Sequence, residues 1–374
     1  MKIAILFVRL CAGLLIFLAV LEVCARVDDY LTYDAPLWSS YSIDGLYTQD
    51  QLGKRGKPYG RYKKWQLNSL GYRDPELRPG TTRIVCLGAS ETFGLYESAG
   101  EEYPRQLERD LNARAGGNDF QVVNAAYAGQ TVATASLRVP EILEKVNPRV
   151  VIIYPAPTEY IWLRWLGPAV PAKSALVVAG KSPKFELRVA ENLRVAAKSM
   201  LPGFLQTGVR EYQIARAAVR YKLMDRLPEE NIARLRSDVA HLVGLLKVRG
   251  VEPVLVTHAT VFGKQLSPND RELLIAWRKF YPMLREEGFL DMELRMNDAM
   301  RSVAAEEQVT LVDAAREIPS DPKYFADFSH FTDMGASLMA AKLAHGLEPL
   351  TRTQSARQPG STRSQETAAG RGAQ

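Results

Sequence analysis

The chain has 374 residues, and its 47% hydrophobic and 24% charged residues are a composition that folds around a sizeable core, as one large domain or two ordinary ones. The formal charge of +6 is partly carried by the tail, where Arg352, Arg357, Arg363 and Arg371 face only Glu366. No arginine–aromatic stripe accompanies it, which argues against a nucleic-acid binder. Three cysteines without ligand spacing, four scattered histidines and no lysine after the glycine turn G-A-S-E-T-F-G leave no indicated metal, nucleotide or other cofactor.

In chain order, the first element is apolar. Lys2 and Arg9 flank I-A-I-L-F-V, and an uncharged run of twelve residues, Leu10 to Leu21, precedes Glu22. Counted from Ile3, with Arg9 snorkelling, the segment through Val23 is just long enough to span a bilayer, for which about 20 residues are usual. Basic residues before it and Asp28 and Asp29 after it favour a cytoplasmic N-terminus and an extracytoplasmic remainder, periplasmic in a Gram-negative cell. A cleaved signal peptide is the rival, since Val23-Cys24-Ala25 loosely fits the small-residue cleavage pattern. The sequence favours an uncleaved membrane anchor over residues 1–26. Residues 27–80 are tyrosine-rich and irregular, and read as a connector that packs on the next domain.

From residue 81 to about 350, strand and helix signals alternate. The strand-like runs are residues 83–88, 121–126, 149–155, 252–258 and 308–313, each apolar throughout, as expected of parallel strands covered on both faces. Helical patterns run over 102–114, 132–146, 229–249, 289–307 and 333–347. Such alternation predicts a three-layer α/β/α domain with a mostly parallel sheet, whose ligand sites gather outside the carboxyl ends of the strands. Between the third and fourth strands lie about 90 residues, far more than one crossover needs. This insertion, about 160–250, begins apolar and aromatic and continues with basic helical patterns. It suits a lid, a membrane-facing surface, a partner surface or a plain solvated insertion. The polar tail, 351–374, reads as disordered.

Three blocks carry candidate chemistry. Ser90 follows the first strand at a turn, where it serves either as a helix cap or as a nucleophile. Asn124 to Gly129, N-A-A-Y-A-G, closes the second strand. Near the end, D-F-S-H-F-T-D-M-G places Asp327 three residues before His330. A carboxylate at that spacing can accept the Nδ1 proton and leave Nε2 free to take a proton from a hydroxyl. In a doubly wound sheet these loops surface at one edge.

Together the blocks resemble those of the SGNH hydrolases, the GDSL-type esterases and acyltransferases, over roughly residues 67–348. The resemblance implies a five-stranded, flavodoxin-like sheet with Ser90 as nucleophile, His330 as base and Asp327 as its orienting carboxylate. It also implies an oxyanion hole of backbone amide at Ser90, the Gly129 amide and a third donor. One block departs: where the family carries G-x-N-D, this chain has A-P-T-E, so Thr158 replaces the asparagine and offers a shorter, rotatable donor. The implied substrate is an acyl ester, acetyl foremost, on envelope or secreted polysaccharide, with lipid esters also in range. The rivals are O-acyl transfer through the same triad, and a carbohydrate-binding or assembly protein that keeps the fold without the chemistry. No protein partner is indicated. His258, at the end of the fourth strand, reads as a hydrogen-bonded structural histidine or a pocket residue.

Overall fold

The computed structural model describes residues 2–38, 43–73, 75–165, 187–263 and 266–350. A long helix, α1 (Lys2–Tyr33), leads into two small antiparallel pairs, β1 (Tyr47–Asp50) with β2 (Gly53–Gly56) and β3 (Arg61–Tyr62) with β4 (Trp65–Gln66). Strand β5 (Thr82–Gly88) then opens the α/β body, followed by a single turn α2 (Ser90–Phe93), α3 (Tyr103–Ala115), β6 (Phe120–Asn124), α4 (Val132–Val146) and β7 (Val150–Tyr154). After a 3-10 stretch, Pro157–Trp165, come α5 (Arg188–Met200), α6 (Gly203–Ala218) and α7 (Glu229–Val248). The chain continues through β8 (Glu252–Val256), α8 (Pro268–Arg278), α9 (Glu286–Glu306), β9 (Thr310–Val312), α10 (Ala314–Glu317) and α11 (Asp333–Gly346).

The five strands β5 to β9 form one parallel sheet in the order β6-β5-β7-β8-β9. Every residue of β6 and β7 is buried, which is why β7 is a continuous V-V-I-I-Y run rather than an alternating one, while β6 centres on Val122 and Val123 between the buried Gln121 and Asn124. Helix α3 packs against α11, while α4, α7 and α9 pack side by side. With right-handed crossovers these two groups cover opposite faces, giving the three layers expected. Strand order reverses between β5 and β7, so the crevice that such sheets use for ligands opens between the loops after those two strands.

Three features depart from the sequence reading. Helix α1 continues ten residues past Val23, and its end is built into the body: Arg26 and Asp29 are buried, and Arg26 Nη1 donates to the Leu37 carbonyl at 2.8 Å. Among the described residues it is the one helix long and apolar enough to cross a membrane. The connector contains strands, and its Leu46, Tyr62 and Leu67 share a small second core with Phe93 and Ala126. Helix α8 was not read from the sequence, although S-P-N-D carries its start signal: Ser267 Oγ accepts from the Asp270 amide and Asp270 accepts from the Ser267 amide. The tail, 351–374, and residues 166–186 of the insertion lie outside the described residues.

Candidate active site

Strand β5 delivers Ser90 to the carboxyl edge of the sheet. Only glycine fits before the turn, since a Cβ on Gly88 would stand 2.0 Å from Thr92 Oγ1 and 2.7 Å from the Tyr154 carbonyl oxygen. Ser90 does not cap the helix that follows: Ala89 holds the N-cap position and no side chain caps it. The Ser90 hydroxyl donates instead to Glu91 Oε2 at 3.2 Å. Neighbouring elements fix the turn. Asn124 Nδ2 donates to the Thr92 carbonyl at 2.8 Å, Tyr103 Oη donates to Thr92 Oγ1 at 3.0 Å, and the Arg73 guanidinium donates to the carbonyls of Phe93 and Gly94 while pairing with Glu102 at 2.9 Å. Phe93 and Tyr127 belong to the packed interior.

The loop before α11 supplies the imidazole. Asp327 Oδ1 accepts from the backbone amides of Ser329 and His330 at 3.0 and 2.9 Å, and both carboxylate oxygens lie 2.9 Å from His330 Nδ1. A carboxylate there assigns the proton to Nδ1 and leaves the Nε2 lone pair free. His330 is 8% exposed, and its Nε2 is buried without a hydrogen-bond partner among the described residues. Burial pulls the His330 pKa down, but the bond from Asp327 and the charges of Glu91, Asp327 and Glu97 outweigh it and raise it. Thr332 caps α11 by accepting from the Gly335 amide, which fixes the chain direction just after His330.

Asp327 and His330 are therefore joined directly, whereas Ser90 and His330 share no hydrogen bond. One carboxylate links their loops: Glu91 accepts from Ser90 through Oε2 and from Ser329 Oγ, next to His330, through Oε1 at 3.1 Å. Behind it stands His258, 3% exposed, with Nδ1 2.9 Å from Glu293 Oε2 and Nε2 3.6 Å from Glu91 Oε1. Asn297 grips the backbone of His258 on both sides, accepting from its amide at 2.7 Å and donating to its carbonyl at 2.9 Å. Burial lowers the pKa of His258, yet the two carboxylates overcome it and hold the ring up to about 10. Conversely, burial would raise Glu91, but His258 and His330 hold it well below the usual carboxylate range.

The other two expected oxyanion residues occupy neighbouring loops of the same edge and make no hydrogen bond to Ser90. Gly129 has φ +82°, and among the described residues beyond its two chain neighbours no atom lies within 4 Å of where its Cβ would be, so its backbone borders open space. The adjacent Gln130 accepts from the Gly88 amide at 3.2 Å, which ties this loop to the Ser90 turn. Thr158 is buried, with its hydroxyl in contact with that of Tyr281. Glu159 beside it is raised to about 7 by burial and by the charge of Glu91, against the pull of Lys54. Glu97 also reaches about 7, chiefly through burial. Among the described residues no group of three or more His, Cys, Asp or Glu is placed to hold a metal ion.

The sequence reading missed Glu91 and Glu293. Glu91 was visible as a lone acid between a buried strand and the apolar Phe93, a position that demands a partner. Nothing local marked Glu293, which meets His258 only because α9 lies over β8. His241 and His345 are exposed.

No family model matches the chain, and no curated protein matches it. Similar solved structures include a lipase/acylhydrolase from Enterococcus faecalis, 14% identical over 72% of this chain and 97% of that one, with a TM-score of 0.43. They also include the acetyl xylan esterase AlAXEase (12% identity, 71% and 99% coverage, TM-score 0.42) and a variant of an acetyl xylan esterase from Geobacillus stearothermophilus (15%, 72% and 96%, TM-score 0.42).

Proposed function

We propose that this chain is a membrane-anchored serine hydrolase of acyl esters, acetyl esters on carbohydrate foremost, working through Ser90, His330 and Asp327 on the extracytoplasmic side. The observation that carries the reading is His330 Nε2: buried, oriented from behind by Asp327, free of any partner, and on the loop that Glu91 ties to Ser90. For the reaction the Ser90 hydroxyl must leave Glu91 and turn to this base. Nε2 then takes the proton as Oγ bonds to the ester carbonyl carbon. The resulting oxyanion is met by the Ser90 and Gly129 amides and the Thr158 hydroxyl. Collapse expels the alcohol, which receives the proton from Nε2, and water attacks the acyl-serine by the same proton path in reverse. The acyl and carbohydrate preference rests on the motif resemblance.

Retention of α1 is supported by the contacts of Glu22, just past its uncharged run. Both carboxylate oxygens of Glu22 accept from the first amides of α5, so the segment is bonded to the folded domain.

A fluorophosphonate probe tests the chemistry: it labels the protein at Ser90, and labelling is lost in Ser90→Ala. A wild-type protein that binds glycan yet stays unlabelled and inert would make the chain a binding protein. Acetate freed to water, rather than passed to an added glycan, identifies a hydrolase over a transferase.

A further inference from the structure

Two helices of the insertion do not behave like the rest of the domain. Helix α5 buries none of its side chains and α6 buries only Ile214, whereas α7 and α9 each bury a full stripe. The surface they leave open is apolar. Leu193 and Met200 on α5 and Phe204, Leu205, Val209 and Tyr212 on α6 are all exposed. On α6 the spacing 205, 209, 212 forms one stripe, and Ile214 turns from the opposite side toward the body. Residues 188–222 carry seven lysines and arginines against two glutamates; Arg188 is paired with Glu191 and Asp29, which leaves six cations against Glu211.

The position of these helices relative to α1 identifies what covers them. Arg188 and Val189 donate their backbone amides to Glu22 at 3.0 and 2.9 Å, and the Arg188 side chain pairs with Asp29 at 2.7 Å. Glu22 is the first charged residue after the uncharged run of α1. Helix α5 therefore begins where α1 would leave the hydrocarbon. Exposed apolar side chains, a cationic excess and a start at that level are the properties of a helix lying in the headgroup layer of an anionic bilayer.

We propose that α5 and α6 form an interfacial membrane-binding element, their apolar side chains seated among the lipids beside α1 and their cations against anionic headgroups. Together with α1 they would fix the domain at more than one point and limit its tilt over the membrane. This inference rests on α1 being a retained anchor.

The test uses the full chain with Cys11 and Cys24 replaced by serine, reconstituted into vesicles of phosphatidylcholine and phosphatidylglycerol. With the buried Cys86 left in place, one accessible cysteine at a time, at Leu14, Leu205, Val209, Tyr212 or Glu144, carries an environment-sensitive fluorophore, and lipids bearing a nitroxide near the headgroup act as quencher. Labels at Leu205, Val209 and Tyr212 lose their fluorescence along with Leu14, while Glu144 on α4 keeps its own. Quenching at Leu14 with Leu205, Val209 and Tyr212 as bright as Glu144 overturns the proposal and leaves the anchor standing. Loss of quenching at Leu14 as well overturns both. Labels on α6 shielded from lipid and from aqueous iodide alike mean that a protein, a second copy or another chain, covers this face instead.

Discussion

Two imidazoles at the edge of this sheet share their immediate surroundings and differ in chemistry. His330 and His258 are both buried, both hold a carboxylate at 2.9 Å from Nδ1, and both leave Nε2 without a hydrogen bond. The difference is what faces Nε2. His258 meets a second carboxylate there, Glu91 at 3.6 Å, while Glu91 reaches His330 only through space. An imidazole between two buried carboxylates is a fixed cation, since losing its proton would strand two negative charges in a low-dielectric interior. An imidazole with one carboxylate behind it can exchange the proton in front. Whether a carboxylate faces Nε2 as well as Nδ1, rather than the burial of the ring, separates a structural cation from a base.

Removing each ring sets the two roles against one another. His330→Gln is expected to lower kcat/KM for a p-nitrophenyl ester by ~10³-fold or more, with thermal stability nearly unchanged. His258→Gln is expected to act first on stability, by about 3–5 kcal/mol in denaturant titration, because Glu91 and Glu293 lose their shared counter-ion. The raised pKa of His258 fixes the pH window. Its stabilisation is fully present below the ordinary histidine pKa of 6.5 and is lost as pH rises through about 10, so the gap between wild type and variant closes toward alkaline pH. Equal losses of kcat/KM in the two variants, compared at equal folded fraction, would break the distinction.

Thr158 asks whether the edge offers a third oxyanion donor in place of an asparagine. Its hydroxyl lies beside that of Tyr281, whose pKa burial pushes well above 10. Thr158→Val is expected to lower kcat by ~10²-fold with KM unchanged. An unchanged kcat removes Thr158 from the site and leaves the backbone amides alone to meet the oxyanion.

The sheet was legible because its strands are buried on both faces and must be continuous apolar runs, and the helices because their stripes repeat with the right period. Val132–Val146 is read from the sequence with the bounds the structure shows. Ser90, Asp327 and His330 could be singled out as candidates only because their blocks occur together in the order of the family they resemble, since a serine at a turn or a D-x-x-H pair alone is a weak signal. The Glu91–His258–Glu293 chain could not be assembled in the same way. Its members lie on α2, the end of β8 and α9, and only the tertiary fold makes one buried acid the partner of a distant imidazole. The exposed apolar stripe of α6 was hidden for a related reason, since helical periodicity alone does not tell a core face from one meant for lipid.

Glu91→Gln provides the finest test of the comparison, because it removes one charge and almost no volume. The amide oxygen still accepts from Ser90, so the turn is preserved while both histidines lose a neighbouring anion. An anion beside an imidazole favours the protonated form, and its loss lowers the pKa. His330 must be neutral to accept the Ser90 proton, so the acidic limb of the kcat/KM profile is expected to move toward lower pH by about 1 unit, with the plateau little changed. His258 still has Glu293 at 2.9 Å and remains charged through that range. A limb that stays in place would mean that the base feels Asp327 alone and that Glu91 serves only to hold the Ser90 rotamer. In that case the plateau, not the limb, would carry the effect of the substitution.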